Sequence, residues 1–550
     1  WSSYPQKNIL FKGDFPAKSP SFDWTGGLKA TYYYIEGKNG WETSGLSDLV
    51  PCKGEFWLDD IQCLYFSDQT AILFGYTGNP VNIEIPAKIT VDSVDYQITS
   101  LGNIFFGCKS LKNVAVSMDM GEIYGEESSR IFEYQTFMNC NLESIYFKGD
   151  SPWNFGGTVT GGFAATWNIY DAPLYYISGT KNWESTEADD PTMIACHNWT
   201  VADNVLYLCN EDGTAIVKNY VGYPETITIP KTITVDAREY TVIAMDERAF
   251  YRCNSLKEIS ILADITGIES EAFAYCTNLR SVVITESVST IGYGAFANCR
   301  NLVEVQLPAN LTQIDDSAFY YCSGLKLSTL PETVEYVGMF AFYNCSELES
   351  MTLPNSCTEL GQYAFGKCTA LQNILLGSGL SEIGVGTFFE CSNLESFSTG
   401  NGIFFIGDFA FLNCTGLTSV LFGDNVADVW NTAFMGCSNL TNLVVAENNP
   451  NLSSLDGVLL DKDQTTLILC LQNKSGAYTI PGSVTEIEDA AFSECRNLSS
   501  ITIPASVASI GNRTFENCTG MANITIPGNV ASIGDSAVSG CTSLGSALFK

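Results

Sequence analysis

The sequence is short of the residues that many enzymes and nucleic-acid-binding proteins depend on. Its 550 residues include one histidine, His197, and 27 Lys and Arg against 61 Asp and Glu, which gives a formal net charge of −34. A single histidine excludes His-cluster metal sites and disfavours acid–base chemistry that depends on imidazole. Cys196 precedes His197, but neighbours on an extended chain rarely face each other. Because an acidic chain repels nucleic acid and anionic lipid, neither is an expected partner.

Long apolar runs and a targeting segment are also missing. No stretch approaches the roughly 20 apolar residues that a membrane span needs. The chain opens at Trp1 without an initiator Met or a signal peptide. We therefore expect a trimmed or mature form of an extracellular protein whose targeting segment has been removed. With 45% hydrophobic and 12% aromatic residues, the chain can bury a large core.

Local catalytic and metal-binding motifs are absent as well. The cysteine spacing never follows Cys-x-x-Cys, and the sequence contains neither a Walker loop nor a Gly-x-Ser-x-Gly elbow. Carboxylates such as Asp315, Asp316, Asp408 and Asp535 could serve a glycosidase or hold calcium, but neither use has a local signature here. Solvated turn residues are the better interpretation. The sequence thus predicts no catalytic residue, no metal site and no cofactor.

What the sequence has is a repeat of 23 residues. Cysteines recur at that interval at positions 253, 276, 299, 322, 345, 368, 391, 414 and 437, and resume at 495, 518 and 541. A phenylalanine stands three residues before the cysteine in all of these repeats except the last, which has Val538 at that position. A fixed period of this length is typical of a solenoid, in which small units stack to bury one continuous core.

One unit indicates how each repeat folds. Ile501 and Ile503 alternate inward along a short strand, and Pro504 ends that strand because proline cannot donate to a ladder. Phe515 and Cys518 lie three residues apart, which predicts one helical turn. The sequence therefore predicts an α/β leucine-rich-repeat solenoid, with a parallel sheet on one face and short helical or 3-10 turns opposite.

This unit resembles the repeat of the BspA-like leucine-rich-repeat family of bacterial surface proteins. That repeat reads roughly I-P-x-x-V-x-x-I-G-x-x-A-F-x-x-C-x-x-L. The corresponding segment here is Ile503-Pro504-Ala-Ser-Val507-Ala-Ser-Ile510-Gly511-Asn-Arg-Thr514-Phe515-Glu-Asn-Cys518. It departs from the pattern only at Thr514, where the family repeat has Ala. The resemblance covers most of residues 52–550. It implies a secreted or cell-surface protein that adheres to host matrix or cell-surface macromolecules and is not an enzyme.

A longer duplication divides the chain into modules. Ile9–Asp14 parallels Ile145–Asp150, and Ile83–Pro86 parallels Ile227–Pro230, 144 residues later. We predict that residues 1–51 form the C-terminal cap of a preceding module, 52–195 a short module with an aromatic cap, and 196–550 a long module with a hairpin insertion near 444–481. Because the chain opens with the predicted C-terminal cap of a module, we expect that Trp1 is not the natural start of the protein.

The cysteines invite a disulfide framework, but rung geometry argues against one. Rungs of a parallel sheet lie about 4.8 Å apart, whereas a disulfide brings the two Cβ atoms to about 3.8 Å. Fourteen cysteines occupy the repeat position, counting Cys108 and Cys140, and we expect them to be small buried hydrophobes. Outside this ladder, Cys52 with Cys63 and Cys196 with Cys209 are equivalent close pairs that could each form a disulfide.

The solvent face of the predicted sheet is the candidate functional surface. It should carry the residues five and seven positions after each cysteine, and most of these are small and neutral, such as Ser, Thr and Asn. Leu375, Leu421 and Val444 interrupt this face within a few repeats, which makes them a candidate ligand-contact patch. The expected partner is a macromolecular protein ligand. The alternative is a polysaccharide-capture module that uses exposed aromatics, chiefly in the Trp/Tyr caps at 31–41 and 174–183.

Overall fold

The computed structural model divides the chain into two compact units, residues 1–222 with 234–240 (unit 1) and residues 223–233 with 241–550 (unit 2). It describes residues 7–12, 30–36, 38, 49–58, 61–101, 104–105, 108–117, 137, 140, 142, 144–148, 174–177, 193–196 and 198–549. Within these residues all regular structure is β-strand. No described helix is long and apolar enough to cross a membrane.

The first part of the chain contains sixteen described strands: β1 Lys7–Phe11, β2 Ala30–Ile35, β3 Leu49–Cys52, β4 Gly54–Leu58, β5 Ile61–Tyr65, β6 Thr70–Tyr76, β7 Asn82–Ile85, β8 Lys88–Val91, β9 Val94–Ser100, β10 Asn113–Val116, β11 Ser144–Phe147, β12 Leu174–Ile177, β13 Met193–Cys196, β14 Asn198–Ala202, β15 Val205–Cys209 and β16 Thr214–Tyr220. Strands β1–β3 form one parallel sheet, and β7 and β10–β13 form another. Three strands follow: β17 Thr226–Ile229, β18 Thr232–Val235 and β19 Arg238–Met245.

Unit 2 stacks its repeats so that parallel strands fall in two series, which we call the long ladder and the short ladder. Hydrogen-bonded pairing divides the long ladder into four sheets, the first of which begins with β17, and places the strands of the short ladder in three sheets. The other strands of the long ladder are β20 Glu258–Ile261, β22 Ser281–Ile284, β24 Glu304–Gln306, β27 Ser350–Thr352, β29 Asn373–Leu375, β31 Ser396–Ser398, β33 Ser419–Phe422, β35 Asn442–Val445, β39 Gly476–Thr479, β41 Leu498–Thr502, β43 Asn523–Ile526 and β45 Ser546–Phe549. The strands of the short ladder are β21 Gly267–Ile268, β23 Thr290–Ile291, β25 Gln313–Ile314, β26 Tyr336–Val337, β28 Glu359–Leu360, β30 Glu382–Ile383, β32 Phe405–Ile406, β34 Asp428–Val429, β40 Glu486–Ile487, β42 Ser509–Ile510 and β44 Ser532–Ile533.

The 23-residue period sets the register of both ladders. Ser281 lies opposite Glu304 in the long ladder, and Ile291 lies opposite Ile314 in the short one. Alternate strand residues point inward, as the buried Ile259 and Ile261 of β20 show. This arrangement confirms a β-solenoid built of stacked parallel strands, in which each repeat buries its apolar residues only against its neighbours.

The prediction of helical or 3-10 turns opposite the sheet is wrong. The segment that contains Phe-x-x-Cys is a turn in which alternate N–H groups donate to the next repeat; the N–H of Phe273, for example, donates to the carbonyl of Ala295 at 2.7 Å. Two residues of each such turn except that of Cys437 adopt left-handed backbone, as Glu271 (φ 52°) and Tyr275 (φ 63°) do. A left-handed residue every four positions breaks the run of dihedrals that any helix needs.

The constant spacing of phenylalanine and cysteine in the repeats produces two columns inside unit 2. The rings of Phe250 and Phe273 stack at a centroid distance of 5.1 Å, and those of Phe273 and Phe296 at 5.2 Å. The thiol of Cys299 donates to the carbonyl of Phe273, 26 residues earlier, at 3.0 Å. The phenylalanine rings thus form a buried aromatic stack, and the cysteine thiols donate hydrogen bonds to backbone carbonyls of the preceding repeat.

The insertion near 444–481 is a three-stranded meander, a larger element than the predicted hairpin. Strands β36 Leu452–Leu455, β37 Val458–Asp461 and β38 Thr466–Cys470 pair antiparallel in sequence order, and β38 then pairs parallel with β40. The same antiparallel arrangement occurs in β4–β6 and in β14–β16. Each meander precedes a stretch of parallel ladder, so the insertion is a third copy of an element that also begins the ladders at β7 and β17.

In unit 1 a meander also covers the outward face of a sheet. All four residues of β10 and of β11 are buried, on both faces of the sheet. Tyr146 and Ala115 point outward from that sheet and pack against Trp199 and Leu206 of the meander. The side chain of Asn82 in β7 accepts a hydrogen bond from the side-chain amide of Asn113 and donates one to the side-chain oxygen of Asn219. A sheet face of this fold can therefore bind an apolar β-surface.

Candidate functional site

The outward face of the long ladder in unit 2, here called the sheet face, consists of the residues five and seven positions after each cysteine. None of these residues is buried from Glu258 to Leu548, whereas the intervening residues of most repeats, such as Val282 and Val420, are buried. The inward and outward alternation predicted from the sequence is thus confirmed. Because the sheet face carries mostly Ser, Thr and Asn, it is a weakly charged surface.

The structure brings together two of the three residues of the predicted patch. Leu421 lies directly opposite Val444 in the paired strands β33 and β35, and their exposed fractions are 44% and 40%. Leu375 is more exposed, at 65%, and is separated from Leu421 by the rung of Ser398. Its own strand pairs with β27. The patch is therefore a contiguous pair with an outlying leucine on the same face.

The prediction that the ladder cysteines are buried is confirmed for twelve of the fourteen. All fourteen are free thiols, twelve of them buried, while Cys140 and Cys541 are half-buried. Cys52, Cys63 and Cys209 are also free and buried, so Cys52 and Cys63 do not form the disulfide considered above. Burial raises the pKa of Cys52 to about 11 and that of Cys63 to about 12. Such thiols are poor nucleophiles because they stay protonated near neutral pH.

Turn carboxylates accept hydrogen bonds from the next repeat. Asp316 Oδ1 accepts from the N–H of Met339 at 2.7 Å and from the Tyr336 hydroxyl at 3.2 Å. Asp408 accepts from the Thr432 hydroxyl. In the part of the chain that the structure describes, no group of three or more His, Cys, Asp or Glu is placed to hold a metal ion.

Several residues considered in the sequence analysis lie outside the described part of the chain. They include His197 and much of the aromatic caps at 31–41 and 174–183, of which the structure gives strands β2 and β12. The side chain of Cys196, and with it the proposed pair with Cys209, also lies outside the description.

Sequence reasoning missed an aromatic cluster on the turns of unit 2. We call the residues five, two and one positions before each cysteine the turn ridge; some of its small residues, such as Ala274, are buried, and its aromatic residues are partly exposed. Over four consecutive repeats it carries six half-buried rings: Tyr320, Tyr321, Phe340, Tyr343, Tyr363 and Phe389. Neighbouring rings lie 4.5–6.4 Å apart between centroids. Aligning the repeats on their cysteines and comparing these three positions would have revealed the cluster.

One carboxyl group is half-buried where the third meander joins the ladders. Burial raises the pKa of Glu488 to about 7, and the nearby carboxylates of Asp428, Glu486 and Asp489 add to the shift. The strand that precedes it, β40, pairs on one side with β38 of the meander and on the other with β42 of the following repeat. The sequence alone gave no indication of this group, because Glu488 belongs to an ordinary turn.

Comparison with known families places most of unit 2 in one repeat family. A model described as "BspA type Leucine rich repeat region (6 copies)" matches residues 226–326, 314–441 and 471–550, which together make up more than half of the chain. No curated protein matches the chain.

Solved structures of bacterial repeat proteins are also similar. A leucine-rich cell surface protein from Faecalibacterium prausnitzii is 25% identical, with a TM-score of 0.40, over 64% of this chain and 94% of that one. A leucine-rich-repeat protein from Bacteroides ovatus is 23% identical, with a TM-score of 0.41, over 63% and 94% of the two chains. A leucine-rich-repeat protein from T. pallidum is 27% identical, with a TM-score of 0.29, over 40% and 90%.

Proposed function

Because the chain belongs to the BspA-type leucine-rich-repeat family, we propose that it is a non-enzymatic adhesion protein of the bacterial cell surface. It binds protein ligands of the host matrix or of cell surfaces through the sheet face of unit 2. The observation that carries this proposal is the open apolar pair Leu421 and Val444, with Leu375 on the same face.

The dimensions of the sheet face support a macromolecular ligand. Nine consecutive repeats run from Cys253 to Cys437, and at roughly 4.8 Å per rung they extend the face to about 40 Å. A standard protein interface buries about 800 Å² on each partner. Exposed apolar residues amid a neutral polar surround are typical of such interfaces. The sheet face thus has the length and composition that a protein ligand needs, without a deep pocket.

Unit 1 shows which chemistry such a face can accommodate. There the equivalent outward position is filled by Ala115 and Tyr146, and these contact Trp199 and Leu206 of a meander. The contact is apolar and includes an edge-to-face pair between Tyr146 and Trp199 at 6.4 Å. This precedent favours a protein surface with aromatic and aliphatic side chains as the ligand of the sheet face in unit 2.

The proposal is tested by binding the full chain to a panel of immobilised matrix proteins beside a glycan array. Saturable binding to at least one protein, with no turnover of small-molecule hydrolase substrates, is the expected result. Binding confined to glycans would replace protein adhesion with polysaccharide capture. Robust hydrolase activity that copurifies with the chain would overturn the non-enzymatic assignment.

A further inference from the structure

Cations are concentrated in the loops that lead into four consecutive rungs of the long ladder. The basic edge, as we call it, consists of the four residues after each of four successive repeat cysteines: 254–257, 277–280, 300–303 and 323–326. Its charged residues are all cations, namely Lys257, Arg280, Arg300 and Lys326. The same positions of the next five repeats hold three carboxylates and no cation. The cations therefore belong to one stretch of the surface and are not a feature of the repeat.

Backbone hydrogen bonds hold the four segments of the basic edge side by side. The N–H of Arg280 donates to the carbonyl of Lys257 at 2.7 Å. The N–H of Val303 donates to the carbonyl of Arg280 at 2.9 Å, and that of Lys326 donates to Val303 at 3.1 Å. Arg300 lies three residues before Val303 and supplies the cation of the third segment. At roughly 4.8 Å per rung, four adjacent rungs thus provide one cation each over about 15 Å.

Three of the four cations are open to a ligand. The ammonium of Lys257 is paired with the Glu225 carboxylate at 2.7 Å. Arg280, Arg300 and Lys326 are exposed, and none of them forms an ion pair with any residue that the structure describes. Because like charges on neighbouring strands repel each other, this arrangement costs stability and contributes nothing to the packing of the solenoid. An anion that contacts several rungs at once would relieve the repulsion.

The rest of the basic edge offers hydrogen-bonding groups and no apolar anchor. Its leucines are all fully buried, namely Leu256, Leu279, Leu302 and Leu325. The remaining residues are Asn, Ser, Thr and Gly, together with a half-buried Val303. Protein interfaces are centred on aromatic or aliphatic anchors, and single-stranded nucleic acids stack their bases on aromatic rings. Because the basic edge contains neither, its composition favours a ligand that presents only negative charges and hydroxyl groups.

We propose that the basic edge binds a sulfated polysaccharide, whose sulfate groups pair with Arg280, Arg300 and Lys326. The guanidinium group donates two parallel hydrogen bonds to an oxyanion, and the neighbouring Asn, Ser and Thr side chains can bond to sugar hydroxyls. The net charge of −34 opposes this binding only weakly at 0.15 M salt, where charges are screened beyond about 8 Å. Glu258 and Glu304, which directly follow the edge, belong to the sheet face and keep the polyanion off it. The site is independent of the proposed adhesion to proteins.

The test measures binding of the full chain to a heparin oligosaccharide of defined length by isothermal titration calorimetry at several NaCl concentrations. Arg280→Gln and Arg300→Gln should each weaken binding at 0.15 M NaCl about tenfold, because each removes one charge-assisted contact. Each should also reduce the slope of log K against log [NaCl] by about one, which a purely structural effect would not do. Arg280→Lys keeps the charge, so it should retain the wild-type slope while losing part of the affinity.

Two control variants and two other polyanions locate the effect. Arg513→Gln removes an exposed arginine of a later repeat and should leave heparin binding unchanged, as should Leu421→Asp on the sheet face. Poly-glutamate and single-stranded DNA should bind at least tenfold more weakly than heparin. The proposal would be overturned by a wild-type chain that does not bind heparin, by wild-type affinity in a folded Arg280→Gln/Arg300→Gln variant, or by equally tight binding of either other polyanion. None of these results bears on adhesion through the sheet face, because that is read from the protein panel.

Discussion

At the scale of single residues, the repeat cysteine acts as a hydrogen-bond donor inside an apolar column. The thiol of Cys345 donates to the carbonyl of Phe319 at 3.3 Å, and that of Cys368 donates to Phe342 at 3.2 Å. The phenylalanine supplies both the stacked ring and the accepting carbonyl. The Phe-x-x-Cys spacing therefore links adjacent repeats through two interactions, one apolar and one polar.

Phe342→Ala should destabilise the protein far more than Ser350→Ala, although the two sites lie in one repeat. Phe342 is fully buried between the rings of Phe319 and Phe365, and truncating a buried phenylalanine costs about 3–5 kcal/mol. Ser350 lies on the sheet face, where a substitution changes the free energy of unfolding by about 0.5 kcal/mol or less. Thermal unfolding of both variants checks this. Equal melting temperatures would mean that the assignment of inward and outward positions is wrong.

The ladder thiols should resist alkylation in the folded protein. Burial raises the pKa of Cys368 to about 12, and iodoacetamide needs both access and a thiolate. We expect the buried ladder cysteines to be unmodified at pH 8 and to be fully modified after denaturation without reductant, as mass spectrometry would show. Cys140 and Cys541, which are half-buried, are the expected sites of early reaction. A disulfide between Cys276 and Cys299 would contradict this account.

At the scale of elements, the sequence predicts the ladders well and the turns poorly. Positions such as Ile259 and Val305 alternate with polar residues at a fixed period, and periodicity of that kind determines which side of a strand is buried. The turn is set instead by left-handed residues such as Arg248 and Tyr275, whose residue type does not predict that conformation because they are neither glycine nor asparagine. Two apolar residues three apart fit a helix equally well, so the pattern alone could not exclude one.

The residues of the candidate site likewise include some that the sequence predicts and some that it does not. Leu421 and Val444 could be found from the sequence because both lie seven residues after a repeat cysteine. Each of them directly follows a residue that the repeat pattern predicts to be buried. The ring cluster around Tyr343 was missed, since it spans three positions of the turn and becomes continuous only when four repeats stack. The division into modules at 1–51, 52–195 and 196–550 stays a prediction.

Glu488 should make stability depend on pH at the junction of the third meander. Its pKa is raised from 4.5 to about 7, first by burial and then by Asp428, so the folded state binds the proton more tightly than the unfolded state. Stability should therefore rise as the pH falls from about 7 toward 4.5. Glu488→Gln should raise the melting temperature at pH 8 and leave it nearly unchanged at pH 4.5.

The matched control for this pH effect is Glu382→Gln, because Glu382 is an exposed residue of the short ladder. It should change the melting temperature little at either pH. If Glu488→Gln shifted the melting temperature equally at pH 8 and at pH 4.5, ionisation of Glu488 would not be the cause.

At the scale of the whole molecule, the chain combines a strong net charge with a nearly neutral sheet face. The net charge is −34, yet the sheet face carries mainly Ser, Thr and Asn. Charge of one sign keeps a long repeat protein soluble and limits self-association. Affinity of the sheet face for a protein ligand would then come from apolar contact and shape.

Binding of a protein ligand to the sheet face should depend little on salt. Electrostatic attraction between exposed charges is screened over about 10 Å at 0.1 M salt. The free energy gained by burying Leu421 and Val444 against a ligand is not screened by salt. Surface plasmon resonance at 0.05 and 0.5 M NaCl should give dissociation constants within about threefold of each other. A loss of a hundredfold or more would indicate that charged contacts dominate and that the patch is not the centre of the interface.

The most direct test of the central claim is the affinity of a Leu375→Asp/Leu421→Asp variant of the full chain for the protein ligand that the wild type binds. The control is Thr502→Asp, which introduces the same charge at the same repeat position outside the patch. We predict that the double variant keeps the wild-type melting temperature and loses binding by about a hundredfold, as expected when hot-spot residues at an interface centre are made charged, whereas Thr502→Asp binds normally. Wild-type affinity in a folded double variant would contradict the account.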